Sequence, residues 1–282
     1  SFQGPNDEVE IPKMYLKSDA FTKPTYVDQT HVRRAKPPSE QPSSKIMNTL
    51  SSLNDNAPSG YYYVNESSYF ILERYNTGEF SYFINNADVE SMFRFMYSLP
   101  PLPNPRRPTT FLKRPQVTFS PINYDFGQKT TTFPYDENVP NLIKTSKKIV
   151  EGVLSKHGFE KEYNGAHVSM YPDGSAGLDP HEDDEPVIDQ SVPIASISFG
   201  ETRKFAFYRK QTEDERNAQI QKSKAKVTPD PKPVKVSSVA LNHGDVAIMV
   251  NMQTIEILHG IVKEPKLTNP RINITYRNFV AI

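Results

Sequence analysis

For the first 57 residues, apolar side chains are isolated among Pro, Ser, Lys and Asp. A segment so patterned cannot bury enough apolar surface to offset the entropy of ordering it. It reads as a flexible polar tail, 1–57, ahead of a folded domain, 58–282. From Tyr61 the pattern changes. Tyr61-Tyr-Tyr-Val and Tyr69-Phe-Ile-Leu are aromatic and aliphatic throughout, as strands are. Residues 86–97 open on a capping-type residue, Asn86, and carry Val89, Met92, Phe93 and Met96 at helical spacing, with Pro100 and Pro101 to end them. Residues 100–108 hold five prolines and two arginines and are expected as loop, and 109–132 look strand-like but are interrupted by Pro115, Pro121 and Gly127. The spacing of Leu142, Ile143, Ile149, Val150, Val153 and Leu154 predicts an amphipathic helix over 141–157.

Beyond that helix the chain looks like sheet. Residues 166–171, 194–199, 204–208, 246–250 and 271–279 are short strand candidates separated by turn residues. A charged, lysine-rich stretch, 209–235, interrupts them and is expected as an extended hairpin or loop on the surface. Many short strands with helices only before them predict an α+β chain. Its core would be a double-stranded β-helix (a jelly roll, cupin-like) braced by N-terminal helices. No internal repeat is present.

Composition narrows the chemistry. Lys+Arg and Asp+Glu both number 33, so the global charge favours no partner, and any nucleic-acid binding must come from local asymmetry. Such asymmetry exists around 100–135, where Arg106, Arg107, Lys113, Arg114 and Lys129 face a single Asp125. The absence of cysteine excludes disulfides, thiolate metal sites and cysteine nucleophiles. No apolar run approaches the ~20 residues of a membrane helix, and the N-terminal residues show no apolar signal core. A monomer inside the cell, with no membrane partner, is the expectation. Phe2-Gln-Gly-Pro5 resembles a viral 3C-type protease site and reads as an expression remnant or as ordinary tail. His31-Val-Arg-Arg-Ala-Lys36 is a basic turn or a targeting patch.

Two stretches suggest a metal and its ligand. His181 and Asp183 are two apart, so in an extended chain they share a face and can meet one ion. With His259 they make two histidines and a carboxylate, the donor set of non-haem Fe(II) oxygenases. His243 is a rival for the second histidine, but it lies in a turn, while His157 and His167 read as structural or exposed. In Arg271-Ile-Asn-Ile-Thr-Tyr-Arg277 the polar positions alternate with apolar ones, giving one face with two guanidiniums. Buried arginines need anionic partners, and arginine suits bidentate carboxylate binding. A dicarboxylate with one end on an arginine and the other near a metal fits both.

His181-x-Asp183, His259 and Arg271-x-Asn273-x-Thr275-x-Arg277 together resemble the signature of the AlkB-like 2-oxoglutarate- and Fe(II)-dependent dioxygenases, especially their eukaryotic nucleic-acid-repair branch, whose H-x-D-D-E matches His181 to Glu185. Ile194-Ala-Ser-Ile-Ser-Phe-Gly and Leu241-Asn-His-Gly-Asp-Val are similar to two further family segments. The similarity covers roughly residues 80–282. It implies Fe(II) on His181, Asp183 and His259. Arg271 would hold the distal carboxylate of 2-oxoglutarate, Arg277 would sit nearer its chelating end, and Asn273 and Tyr171 would add hydrogen bonds. The family often has asparagine where this chain has Ser169, which would then contact the cosubstrate more weakly or through water.

The activity implied is oxidative demethylation of 1-methyladenine- and 3-methylcytosine-type bases in methylated DNA or RNA, consuming O2, in the nucleus and/or cytoplasm. Glu185 stands where the family has a carboxylate favouring such cationic bases. A substrate lid over 100–135 would bring Arg106, Arg107, Lys113 and Arg114 to nucleic acid, with Phe111, Phe119 and Tyr124 for stacking. Two other readings are a dioxygenase acting on protein or lipid and a catalytically silent binding module.

Overall fold

Every second residue from Arg271 to Arg277 is apolar, and a strand so patterned needs two different environments, one on each face. The computed structural model, which describes residues 48–75, 82–124, 129–224, 227–252 and 255–281, supplies both. In chain order its elements begin with β1 (Gly60–Tyr63), β2 (Tyr69–Glu73), α1 (Asn86–Ser98), β3 (Pro103–Asn104), β4 (Arg107–Phe111), β5 (Gln116–Ser120) and β6 (Thr131–Pro134). Then come α2 (Asn141–Lys156), β7 (Gly165–Tyr171), β8 (Leu178–His181), β9 (Ile194–Gly200), β10 (Arg203–Arg209) and α3 (Glu213–Lys222). The last four are β11 (Val234–Leu241), β12 (Val246–Val250), β13 (Ile257–Ile261) and β14 (Arg271–Arg277).

Two sheets form the body. The larger runs β1-β2-β12-β9-β14-β7-β5-β6 and the smaller β11-β10-β13-β8, the two-sheet jelly roll the sequence predicts. Between them Phe70, Leu72 and Ile194 of the larger sheet meet Phe207, Val239 and Leu241 of the smaller. Each such side chain, fully withdrawn from water, contributes about 1.5–3 kcal/mol. The outer face of the larger sheet, with Ile272, Ile274 and Tyr276 of β14, packs on α1 and α2.

The helices sit there for local reasons. The Asn85 side chain accepts from the Ala87 and Asp88 amides and starts α1, whose buried Val89, Met92, Phe93 and Met96 form one stripe. In α2, Leu142, Ile143, Ile149, Val150, Val153 and Leu154 are buried, and the Tyr276 hydroxyl donates to the Ile143 carbonyl at 2.6 Å. With one face of β14 committed to helices, its arginine face must look into the space between the sheets.

Three expectations change. Residue 57 is too late for the end of the tail, because Leu50, Leu53 and Ala57 are already buried in the inter-sheet core; 1–47 lie outside the described residues. The interruption 209–235 contains α3, which buries no residue and is held by a Thr212/Glu215 capping box and the Arg209–Glu215 ion pair. The expected loop at 100–108 instead contributes to a small β3–β4 hairpin. Among the described residues no helix is long and apolar enough to cross a membrane.

Candidate active site

The site begins where β8 meets β13. His181 pairs in register with His259, and their rings lie 4.3 Å apart. Gly260 permits this approach: a Cβ there would come within 2.4 Å of the Leu178 carbonyl oxygen, pushing the two strands apart. Asp183 follows two residues after His181 and is buried. Its Oδ1 lies 3.6 Å from His181 Nε2 and its Oδ2 3.4 Å from His259 Nε2. One ligand atom from each of the three residues falls within 4.8 Å of the others.

The protonation of this cluster suits a cation. Burial works against the charge on Asp183, but Arg277 and the nearby imidazoles outweigh it and hold its carboxyl well below the usual carboxylate range. Burial, then the neighbouring His181, hold His259 below the usual imidazole value. His181 Nδ1 is 3.0 Å from the Asp179 carbonyl, which only accepts, so Nδ1 donates and Nε2 is the nitrogen turned to the cluster. Metal ligands must be deprotonated, and Asp183 Oδ2 makes no hydrogen bond despite its burial. Two imidazole nitrogens and a carboxylate oxygen fit a divalent transition metal.

Beside the cluster lies a cavity walled by the inner face of the larger sheet. The register of β14 sets Arg271 opposite Tyr171, Asn273 opposite Ser169 and Thr275 opposite His167 on β7. Ser169, Tyr171, Asn273, Thr275 and Arg277 line the cavity, with His181, Asp183 and His259 across it. Arg277 Nη2 donates to Asp183 Oδ1 at 2.6 Å. Arg271 adjoins the cavity through Tyr171 and Asn273. Its Nη2 donates to Ser198 Oγ at 2.9 Å and to Asn273 Oδ1 at 3.2 Å, while Nε and Nη1 make no hydrogen bond among the described residues. Burial pulls this guanidinium down to about 10. A fully buried cation with unmet donors and no ion-paired carboxylate is costly unless an anionic ligand arrives.

The profile of the 2OG-Fe(II) oxygenase superfamily matches residues 103–277, which span the whole of this site. The chain belongs to that superfamily. Within it the chain is similar to AlkB homologues. It is 30% identical over 166 residues to the alpha-ketoglutarate-dependent dioxygenase alkB homolog 3 of Mus musculus, covering 58% of this chain and 51% of that protein. It is 28% identical over 170 residues to the DNA oxidative demethylase ALKBH2 of the same organism, covering 59% of this chain and 62% of that protein. The match thus spans less than two thirds of either relative. The solved structure of OsALKBH1 aligns with 78% of this chain and all of that one, at a TM-score of 0.38 and 16% identity.

The other expected residues of this oxygenase-family chain divide. Glu185 is half-buried, accepts from the Tyr124 hydroxyl at 3.2 Å, and leaves its Oε2 without a hydrogen bond. Arg106, Arg107 and Lys113 are exposed on or beside the β3–β4 hairpin. Arg114 turns away from them into the cavity wall, its Nη1 3.4 Å from the Tyr171 hydroxyl. Of the expected stacking residues, Phe111 is 61% exposed, whereas Phe119 belongs to the helix-side core and Tyr124 is buried against Phe279. The Phe119 expectation fails because the side chains of β5 alternate, and position 119 falls on the helix face. His243 is outside the metal cluster, its Nδ1 accepting from the Gly200 amide at 3.0 Å. His157 contacts Tyr61 and Glu73 near the end of α2, and His167 lines the cavity.

Arg203 escaped sequence reasoning. It is buried, donates to the carbonyls of Asp173, Ala176 and Val262, and lies 5.5 Å from the Tyr171 ring, with Arg271 at 5.2 Å and Arg114 at 5.6 Å. The signal was its phase: Arg203, Phe205 and Phe207 share the inward face of β10, where an arginine needs a reason.

Proposed function

We propose that this chain is an oxidative demethylase of N-methylated nucleobases, of the 1-methyladenine and 3-methylcytosine type, in DNA or RNA. It would use Fe(II), 2-oxoglutarate and O2. The observation carrying this reading is the clustering of His181, Asp183 and His259 across one cavity from the β14 arginine face. The three side chains would hold the metal, which when bound supplies the oxygen chemistry. Arg271 would take the distal carboxylate of 2-oxoglutarate, its Nε and Nη1, without a hydrogen bond among the described residues, being suitable donors. Arg277 would serve the chelating end while orienting Asp183, and Tyr171, Asn273 and Ser169 would complete the wall.

Two further features favour a methylated base as substrate. One of the relatives is named a DNA oxidative demethylase. The other is Glu185, a carboxylate with one oxygen fixed by Tyr124 and one without a hydrogen bond. The two bases are cationic when methylated, and a nearby carboxylate favours them over neutral bases. Arg106, Arg107 and Lys113 on the exposed side, and Arg114 at the cavity, would hold the nucleic-acid strand.

The test is formaldehyde release from methylated bases by wild type and Glu185→Gln. The substitution keeps the shape and removes the charge, so 1-methyladenine and 3-methylcytosine are expected to lose more activity than neutral methylated bases. Equal losses would take this role from Glu185. Release from no base at all would refute the reading.

A further inference from the structure

The pleat of β7 turns His167 to the same face as Ser169 and Tyr171, and β5 runs alongside with Gln116 opposite Ser169 and Thr118 opposite His167. Gln116, Thr118, His167 and Ser169 are all buried. His167 Nδ1 is 2.7 Å from Thr118 Oγ1, and its Nε2 is 3.0 Å from Gln116 Oε1 and 3.4 Å from Ser169 Oγ. Gln116, His167 and Ser169 all line the cavity beside the metal cluster. His167 lies outside the candidate metal cluster.

A neutral imidazole has one donor and one acceptor. Burial first, then Arg277 and Arg114, hold His167 well below the usual imidazole value, so the ring is neutral. An amide oxygen only accepts, so the proton sits on Nε2, and Nδ1 accepts from the Thr118 hydroxyl. Serine cannot donate to a protonated nitrogen, so Ser169 Oγ also accepts from it. Both ambivalent side chains then have their oxygens turned to the ring. Their hydrogens are left for the cavity.

We propose that His167 sets the hydrogen-bond polarity of the cavity wall, making the Gln116 amide and the Ser169 hydroxyl donors toward a bound carboxylate. The inference rests on the reading of this cavity as a 2-oxoglutarate site. A carboxylate offers only acceptors, so this polarity decides whether the wall attracts or repels it. Were the proton on Nδ1, the amide would turn around, Ser169 would donate to the ring, and the wall would present lone pairs. His167 is therefore a positioning residue, acting through Gln116 and Ser169.

Two measurements test this. Long-range 15N–1H correlation spectra of histidine-labelled wild-type protein, with His167 assigned by its absence in His167→Leu, are expected to show the Nε2–H tautomer; Nδ1–H would overturn the proposal. Calorimetric titration of 2-oxoglutarate into the Mn(II)-loaded protein is expected to show affinity falling roughly tenfold in His167→Leu. In that background Ser169→Ala should add little further loss, while Ser169→Asn, whose amide brings its own N–H donors, should recover part of the affinity. Unchanged affinity in His167→Leu, or fully additive losses, would overturn the inference and leave the cosubstrate reading standing. Failure of the wild-type protein to bind 2-oxoglutarate would overturn that reading and this inference with it.

Discussion

At Asp183 one carboxylate meets Arg277 at 2.6 Å and two imidazoles at 3.4 and 3.6 Å. That crowding separates the candidate ligands from the other histidines. His259→Ala should abolish Mn(II) or Fe(II) binding measured by titration, whereas His243→Ala should keep it and lose only about 0.5–1.5 kcal/mol of stability with the Gly200 contact. The reverse pattern would overturn the ligand assignment. Arg271→Ala should weaken 2-oxoglutarate binding roughly 10- to 100-fold, since a charge-assisted pair is lost. Equal affinity would remove the arginine from the site. His181-x-Asp183 and the β14 arginines were legible because each pattern is local, two residues apart or alternating along one strand, whereas His259, far along the chain, joined them through the donor set and the family resemblance. Gln116 and His167 were not, because they join Ser169 in one polar wall only when β5 and β7 come into register.

The elements show the same division. Both α1 and α2 announced themselves by apolar spacing, α1 also by its ends, but α3 has no buried residue and so no apolar period; its Thr212/Glu215 capping box was the available signal. The β8 strand carries Pro180, which argues against a central strand, and it lies at the edge of the smaller sheet, where a missing N–H is tolerated. The end of α2 is tied to β2 by Glu73, which is buried under Lys156 at 3.0 Å and His157 at 3.4 Å. Burial opposes its charge, yet hydrogen bonds from His157 and Lys156 prevail and hold Glu73 below the ordinary carboxylate value. A carboxyl depressed on folding stabilises above its unfolded pKa and loses that contribution as the pH falls through its folded one. Urea unfolding should therefore find Glu73→Gln about 1–3 kcal/mol less stable than wild type at neutral pH, with the gap closing in acid. A gap constant with pH would contradict this account of the tie.

For the whole molecule, the β3–β4 hairpin stands out because the five residues of β4 are all exposed, with Arg106 and Arg107 at its turn. On the proposed function, chemistry on a base edge requires the base outside the stack, which calls for a strand held near the cavity. Arg106→Glu with Arg107→Glu should weaken binding of a single-stranded oligonucleotide and flatten its salt dependence, because fewer phosphate contacts release fewer counterions. Activity on a free methylated nucleoside should persist, since the cavity is untouched. An unchanged salt slope would move the contact to another basic segment, such as the lysines near α3.

The most direct test is mass spectrometry of 1-methyladenine- and 3-methylcytosine-containing DNA and RNA oligonucleotides incubated with Fe(II), ascorbate and 2-oxoglutarate, using wild type and Asp183→Ala in parallel. The account predicts conversion of the methylated base to the unmodified one by wild type alone. Intact methylated oligonucleotides alongside steady consumption of 2-oxoglutarate would contradict it.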